Sequence, residues 1–298
     1  METVEILQRQ LRAAEELYDL VRTMKVLAAV NMRHLERAVE ALADYTRTIE
    51  LGLHVVLRTM TVLPVSTFRS AHGLAAIVFG SDQGMCGPLN DRVASYVDQY
   101  LKKSSSSTES LHCVAVGERV AARLADAGYR IDTTLSTPSS VSGITARVQD
   151  LLVVIDRWYS RGLIQRVMVF YAEHSSHAAY QPVGLTLLPV DQEWLQEIRS
   201  RSWDTHVLPM HTLDADFLFS QLIRHYLFTV LFRGCAESMA SENASRLAAM
   251  RAAERNIGDR ITALRTLYHQ SRQMAITEEL LDIASGFEAL TSTESRAT

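Results

Sequence analysis

Proline is absent before Pro64 and again after Pro209, and the first of these stretches carries a single glycine, Gly52. A chain with no breakers over such lengths at both ends has few options besides long helices. From Thr3 to about Arg58, Leu7, Leu11, Ala14, Leu17, Val21, Met24, Ala28, Leu35, Val39, Leu42, Ile49, Leu53 and Val56 recur mostly at steps of three and four. That spacing predicts one amphipathic helix; about 55 residues at 1.5 Å each span roughly 80 Å, far beyond the usual globular helix. The second segment, about Leu213 to Leu290, continues the pattern through Leu218, Leu222, Leu227, Leu231, Met239, Leu247, Met250, Ile257, Ile261, Leu264, Leu267, Ile276, Leu280 and Ile283. Gly234, Gly258 and Gly286 can bend this helix without ending it. Two such helices, each with a narrow apolar stripe and alternating Arg and Asp or Glu outside it, suit a long antiparallel coiled coil closed by the chain's own ends. A plain helical bundle is the alternative on periodicity alone.

The middle of the chain decides between them. Between Gly73 and Asp191 short apolar runs (LAAIVFG at 74–80, LHCVAVG at 111–117, LIQRVMVFYAE at 163–173, VGLTLLPV at 183–190) alternate with helical stretches near Leu89–Lys102, Glu118–Ala127 and Val141–Arg161. Such alternation predicts βαβ units, with Ser104–Ser107 and Thr134–Ser142 as polar connections. The fold expected is therefore a coiled coil of residues 1–63 and 210–298 with a Rossmann-like α/β domain, 64–209, inserted between its arms.

Thirty basic against thirty-four acidic residues give a formal charge of −4, so there is no basic field to hold nucleic acid. Cys86, Cys113 and Cys235 are odd in number and lack C-x-x-C spacing, which fits a reducing compartment better than a disulfide framework or a zinc knuckle. The opening residues METVEILQRQLRAAEELYDL are charged and amphipathic with no apolar h-region, so no export or transit signal is expected. The most apolar window, Phe217 to Phe232, contains Gln221, Arg224 and His225, and any membrane contact should be peripheral.

The loop Gly80-Ser-Asp-Gln-Gly-Met-Cys-Gly87 lies where a dinucleotide fold cradles phosphate. Its spacing is G-x-x-x-G-x-x-G, it has no G-K-[S/T], and Asp82 would repel a phosphate, so a structural βα turn is the better expectation. Glu173-His174-Ser-Ser-His177 lacks a third ligand and a helical frame for zinc, and Cys86 beside His72 or His112 has no motif to make it a nucleophile. No catalytic group, cofactor or metal is expected. Arg246, Arg251, Arg255, Arg260, Arg265 and Arg272 form a ladder on the last helix, either a solvated, salt-bridged face or forks for carboxylates of a surrounding protein.

Three stretches resemble the gamma subunit of F-type ATP synthase. Met24 to Arg33 (MKVLAAVNMR) is similar to the family's M-x-x-V-A-A-x-K-M-R, with Asn31 at the usual lysine. Ser81 to Asn90 (SDQGMCGPLN) resembles T-D-R-G-L-C-G-x-L-N. Ser241 to Asn256 (SENASRLAAMRAAERN) and Arg272 to Gly286 (RQMAITEELLDIASG) resemble S-E-x-x-x-R-M-x-A-M-x-x-A-x-x-N and R-Q-x-x-I-T-x-E-x-x-[D/E]-I-x-x-G, the signature residues being Ile276, Thr277, Glu279, Asp282, Ile283 and Gly286. The resemblance implies a non-catalytic rotor shaft: ion flow turns a membrane c-ring, the shaft turns with it, and its asymmetric faces drive three catalytic sites in the alpha and beta subunits. It implies contacts of Arg272, Gln273, Thr277 and Glu279 with a beta-subunit catch loop, with Met24 packing opposite, and a foot around Trp203, Asp204 and Thr205 that faces the ring and the epsilon subunit. It further implies a peripheral place on the cytoplasmic face of a bacterial inner membrane, with no nucleic acid and no direct small-molecule ligand. After Trp203-Asp204 the chain reads Thr205-His-Val-Leu-Pro209 in place of the family's two tyrosines and glutamate, and after Tyr171 it reads AEHSSHAAYQP, departures that point to a divergent, alternate bacterial branch. A passive coiled-coil scaffold and a dinucleotide-binding enzyme with helical arms are the competing possibilities.

Overall fold

The computed structural model describes residues 4–60, 73–104, 110–173, 180–203 and 209–294. The expected terminal helices are α1, Val4–Thr59, and α6, Ala215–Glu294. Between them lie β1 (Gly73–Phe79), α2 (Leu89–Ser104), β2 (Ser110–Val116), α3 (Glu118–Asp126), β3 (Thr133–Leu135), α4 (Val141–Ser160), β4 (Arg166–Glu173), β5 (Gln181–Leu188) and α5 (Gln192–Ser200). Two compact units are present, residues 1–26 with 249–298 and residues 27–248.

In the larger unit the strands form one sheet in the order β3-β2-β1-β4-β5, parallel except for β5, which runs antiparallel to β4. Central β1 is buried along its whole length, with Ile77 opposite Val114 on one side and Val169 on the other, which explains its unbroken apolar run. Alternate β1 residues serve two cores. Ala75, Ile77 and Phe79 pack with Ile144, Val148, Leu151 and Ile155 of α4 and with Leu231, Cys235 and Met239 of α6. Leu74, Ala76 and Val78 pack with Val93 and Val97 of α2 and Val120 and Leu124 of α3. The sheet is thus a Rossmann-like α/β/α sandwich in which a segment of the long C-terminal helix completes one layer.

Two elements fall where no separate unit was expected. β3 occupies part of the supposed polar connection, pairing Thr133, Thr134 and Leu135 with Val114, Ala115 and Val116. α5 follows Asp191, whose carboxylate accepts the Glu193 N–H at 2.9 Å as an N-cap. Its Leu195 and Ile198 close a third core with Ile49, Leu53, Val56 and Leu57 of α1 and Leu218 and Leu222 of α6. Asp214 caps α6 similarly, accepting from Asp216 and Phe217 N–H. The helices are antiparallel here: Tyr45 meets His225 at 2.9 Å, and Gly52 lies against the Leu222 side chain.

The smaller unit is a two-helix antiparallel coil by the same test. Glu15 accepts from Arg265 at 2.7 Å, Tyr18 lies beside Gly258, and Lys25 pairs with Glu254 at 2.5 Å. Leu7, Val21, Met250, Ile261 and Leu264 form its buried seam. The apolar period read along α6 as a continuous seam is not covered to its end: Leu267, Ile276, Leu280 and Ile283 are exposed, as is Leu17 on α1. Periodicity reports which face is apolar but not whether the chain itself supplies the cover.

Candidate functional site

Two places concentrate the residues singled out in the sequence, and they are of opposite kind. The first is the loop after β1. Asn90, on the first turn of α2, folds it back: its Oδ1 accepts the Ser81 N–H at 3.1 Å, and its Nδ2 donates to Ser81 Oγ at 2.8 Å. Asp82 accepts from the Glu118 N–H at 2.9 Å and from the Thr137 N–H and Oγ1 at 2.8 and 2.9 Å. A carboxylate therefore already sits at the N-terminus of α3, where the partial positive charge would otherwise attract an anion. Gly117, at φ 123°, lets the next turn come this close, because a Cβ there would lie 2.8 Å from Ser81 backbone atoms.

α6 holds another side of this loop. Ser245 Oγ donates to the Cys86 carbonyl at 2.5 Å, Arg246 Nη2 reaches the Gly84 carbonyl at 3.4 Å, and Ser241 Oγ donates to the Ala172 carbonyl of β4 at 2.9 Å. Arg246 pairs with Glu242 at 2.5 Å; burial pushes the Glu242 carboxyl up from its usual range, against the opposing pull of Arg246. A loop shaped like a phosphate cradle is thus tied down by bonds to its own chain, while Asp82 and Gln83 also line a cavity bounded by α1, residues 137–142 and α6. Cys86 contacts Ser81, Gln83 and Asn90, while His112 pairs with Asp132 at 2.9 Å, so the structure does not bring that thiol and imidazole together. Burial pushes Cys113 and Cys235 up to about 12, which leaves both thiols inert. Among the described residues no group of three His, Cys, Asp or Glu could hold a metal; His72, His174 and His177 lie outside the described residues.

The second place is the end of α6. Every described side chain from Arg272 to Ser285 is exposed. Met274, Ile276, Leu280, Leu281 and Ile283 are exposed by 47–64%. At about 100° per residue, Ile276, Leu280 and Ile283 form one stripe, and Met274 with Leu281 a second on roughly the opposite side. The four polar residues do not form one patch. Gln273 and Thr277 are one turn apart, with Thr277 Oγ1 donating to the Gln273 carbonyl at 2.8 Å, and they border the groove that includes Met274 and Leu281. Arg272 and Glu279 are two turns apart on another face, about 130° away. Asp282 is exposed, and nothing is described of the Gly286 side of the helix. Within the arginine ladder, Arg246 is half-buried and paired and Arg265 is bonded to Glu15, whereas Arg251, Arg255, Arg260 and Arg272 are exposed with no ion pair among the described residues.

Met24 is half-buried on α1, in line with Ile6, Leu17 and Leu20, which are exposed by 45–53%. The sequence pattern includes Leu17 and Met24 but merges them with the Leu7–Val21 seam; Leu17, Leu20 and Met24, at steps of three and four, form a stripe offset from it. Trp203 stacks on His54 of α1 with centroids 5.4 Å apart, and Asp204 and Thr205 lie outside the described residues.

A family model described as ATP synthase matches residues 3–290. The ATP synthase gamma chain of Polaromonas naphthalenivorans (strain CJ2) is 28% identical over 285 residues, spanning 94% of this chain and 97% of the relative. That of Acidovorax sp. (strain JS42) is 26% identical over 284 residues with the same coverage. Among solved structures, the fold is similar to a chain of the Euglena gracilis mitochondrial ATP synthase (OSCP/F1/c-ring, rotational state 3), with TM-score 0.64 at 16% identity over 98% of this chain and 95% of that one. It is also similar to a chain of the Tetrahymena thermophila mitochondrial ATP synthase (central stalk/c-ring), with TM-score 0.55 at 16% identity over 78% and 99%.

Proposed function

From the premise that this chain belongs to the ATP synthase gamma-chain family, we propose that the exposed end of α6 turns inside a collar of partner subunits and carries the coupling contacts. The chain is a non-catalytic central-stalk subunit of an F-type ATP synthase; the chemistry belongs to the subunits around it. The observation that carries the collar is the apolar, uncovered run Met274, Ile276, Leu280, Leu281 and Ile283. A helix that is apolar on opposite faces gains nothing from water and requires protein around it, not merely beside it.

The partners are the alpha and beta subunits at this end, and the epsilon subunit and the c-ring at the foot around Trp203, Asp204 and Thr205. Arg272 with Glu279, and Gln273 with Thr277, offer different donors and acceptors to beta subunits at different angles, with Met24 contributing from α1. Rotation is then coupled because each beta subunit gains a different contact free energy at each angle. Residues 1–63 and 210–298 act as shaft and 64–209 as foot. The assembly lies on the cytoplasmic face of a bacterial inner membrane, held peripherally; no helix among the described residues is long and apolar enough to cross it.

Co-expression with the alpha and beta subunits of the same source tests the assignment. The chain alone should hydrolyse no ATP, and it should co-purify with a complex that does; failure to co-purify refutes it. Arg272→Glu separates a rotor from a passive scaffold. A rotor loses ion pumping per ATP, whereas a scaffold loses no more than one exposed contact of about 0.2–1 kcal/mol.

A further inference from the structure

We propose that torque crosses between α6 and the α/β domain at one polar joint, and that Ser241 and Ser245, with the Arg246–Glu242 pair beside them, are positioning residues for energy coupling. The proposal rests on the rotor assignment and locates, inside this one chain, where the foot grips the shaft.

The reasoning begins with an anomaly of composition. A helix segment facing a core should be apolar, yet α6 buries Glu237, Ser238, Ser241, Glu242, Asn243 and Ser245 in succession. Apolar packing resists compression but slides with little directional preference, because hydrophobic contact is non-directional. Hydrogen bonds fix azimuth as well as distance. Ser241 and Ser245 are one turn apart on the same face, and they bond to carbonyls of two different segments of the domain: Ala172 near the end of β4, and Cys86 in the loop between β1 and α2. Arg246 adds the Gly84 carbonyl and is itself held by Glu242. The loop they grip is stiff, since Asn90 ties Ser81 and Asp82 ties α3 and the segment before α4. Three attachments, one to β4 and two to the loop between β1 and α2, oppose rotation of α6 about its axis against the sheet. The loop resembling a phosphate cradle and the Ser-Glu-x-x-Ser-Arg run of α6 therefore have one explanation, as two halves of a rotational lock.

The test uses the complete complex in proteoliposomes, reading ATP hydrolysis and ion pumping together with proton- and sodium-sensitive dyes. Ser241→Ala with Ser245→Ala should shift the seated-to-unseated balance of the joint by roughly 5- to 30-fold. Pumping per ATP hydrolysed should fall by about twofold or more, while hydrolysis by the assembled head persists. Ser241→Thr with Ser245→Thr keeps both hydroxyls and should restore the ratio. An assembled alanine variant that pumps with the unaltered ratio overturns the proposal.

A second variant does not depend on the alanine protein folding. A Cβ on Gly87 would lie 3.2 Å from Ser245 Oγ, close enough for a disulfide after Gly87→Cys with Ser245→Cys. If the joint is rigid throughout the cycle, oxidation confirmed by mass spectrometry leaves pumping per ATP unchanged. Loss of turnover on oxidation, restored by a reductant, shows that the joint must slip and overturns the proposal. Failure of the rotor assignment would look different, because the unaltered chain would then not assemble at all.

Discussion

Replacing Ile276, Leu280 and Ile283 together by Ala should leave the isolated chain as stable as before and cripple its insertion into the catalytic head. The three side chains are exposed by 47, 62 and 64%. Full burial of an Ile or Leu side chain is worth about 1.5–3 kcal/mol, so the area still open to a partner represents roughly 2.5–5 kcal/mol over the three. At about 1.4 kcal/mol per decade, that is two to nearly four orders of magnitude in affinity, and costs of ordering the interface place the observable effect toward the lower figure. Ala is a better helix former than Ile and matches or exceeds Leu, so α6 keeps its helicity without those side chains. Thermal unfolding of the isolated chain by circular dichroism gives the first readout, and competition between tagged variant and untagged parent for limiting alpha and beta subunits gives the second. Unchanged melting with at least a tenfold competitive deficit is the expected result. A melting temperature lowered by several degrees would mean that these residues pack within the chain, and equal competition would mean that no collar covers them; either refutes the reasoning.

Gly117→Ala should destabilise the α/β domain by about 3 kcal/mol or more, because φ 123° is forbidden to Ala and its Cβ would strike Ser81 backbone atoms that cannot swing aside; urea midpoints measure it. Cys113 and Cys235 should resist thiol labelling at pH 8 in the native chain and react after denaturation. With folded values raised from 9.0 to about 12, each contributes stability that is complete below about pH 9 and lost as pH rises toward 12, so an alkaline titration should show unfolding in that window. Lys25 and Glu254, partly screened from water, should give a coupling of about 1 kcal/mol in a double-mutant cycle of melting curves, diminished by salt.

The long helices and four of the five strands are legible because each repeats one periodicity for long enough to be counted. β3 is not, since Thr133, Thr134 and Leu135 carry no alternation of their own and become a strand only because the edge of β2 presents free backbone groups. α5 carried a readable sign, the Asp191 cap ahead of Trp194, Leu195 and Ile198, but nine residues give too few turns for the period to stand out. The orientation of β5 is invisible because an apolar run reads the same in both directions. At the site, Arg272, Gln273, Thr277 and Glu279 are singled out as a set only through the family resemblance; that they are exposed and divided between two faces of α6 is what the structure adds, since exposure depends on which atoms are absent nearby.

The two signature-rich parts of α6 differ in composition and, in the opposite sense to the usual rule, in burial. Ser241, Glu242, Asn243 and Ser245 are polar and buried, whereas Met274 to Ile283 is largely apolar and exposed. Each inverts the ordinary rule for a soluble helix, and the two inversions answer complementary needs. Where the helix must be held by its own domain against a twisting force, directional bonds to fixed carbonyls outperform oil. At the proposed bearing, where the helix would turn against a partner without sticking, apolar contacts that differ little from angle to angle are preferable to a ring of hydrogen bonds that would have to break at every step, with a few polar groups left to distinguish one angle from the next. A shaft built the other way round, greasy at the joint and densely hydrogen-bonded at the bearing, would slip where it should grip and seize where it should turn.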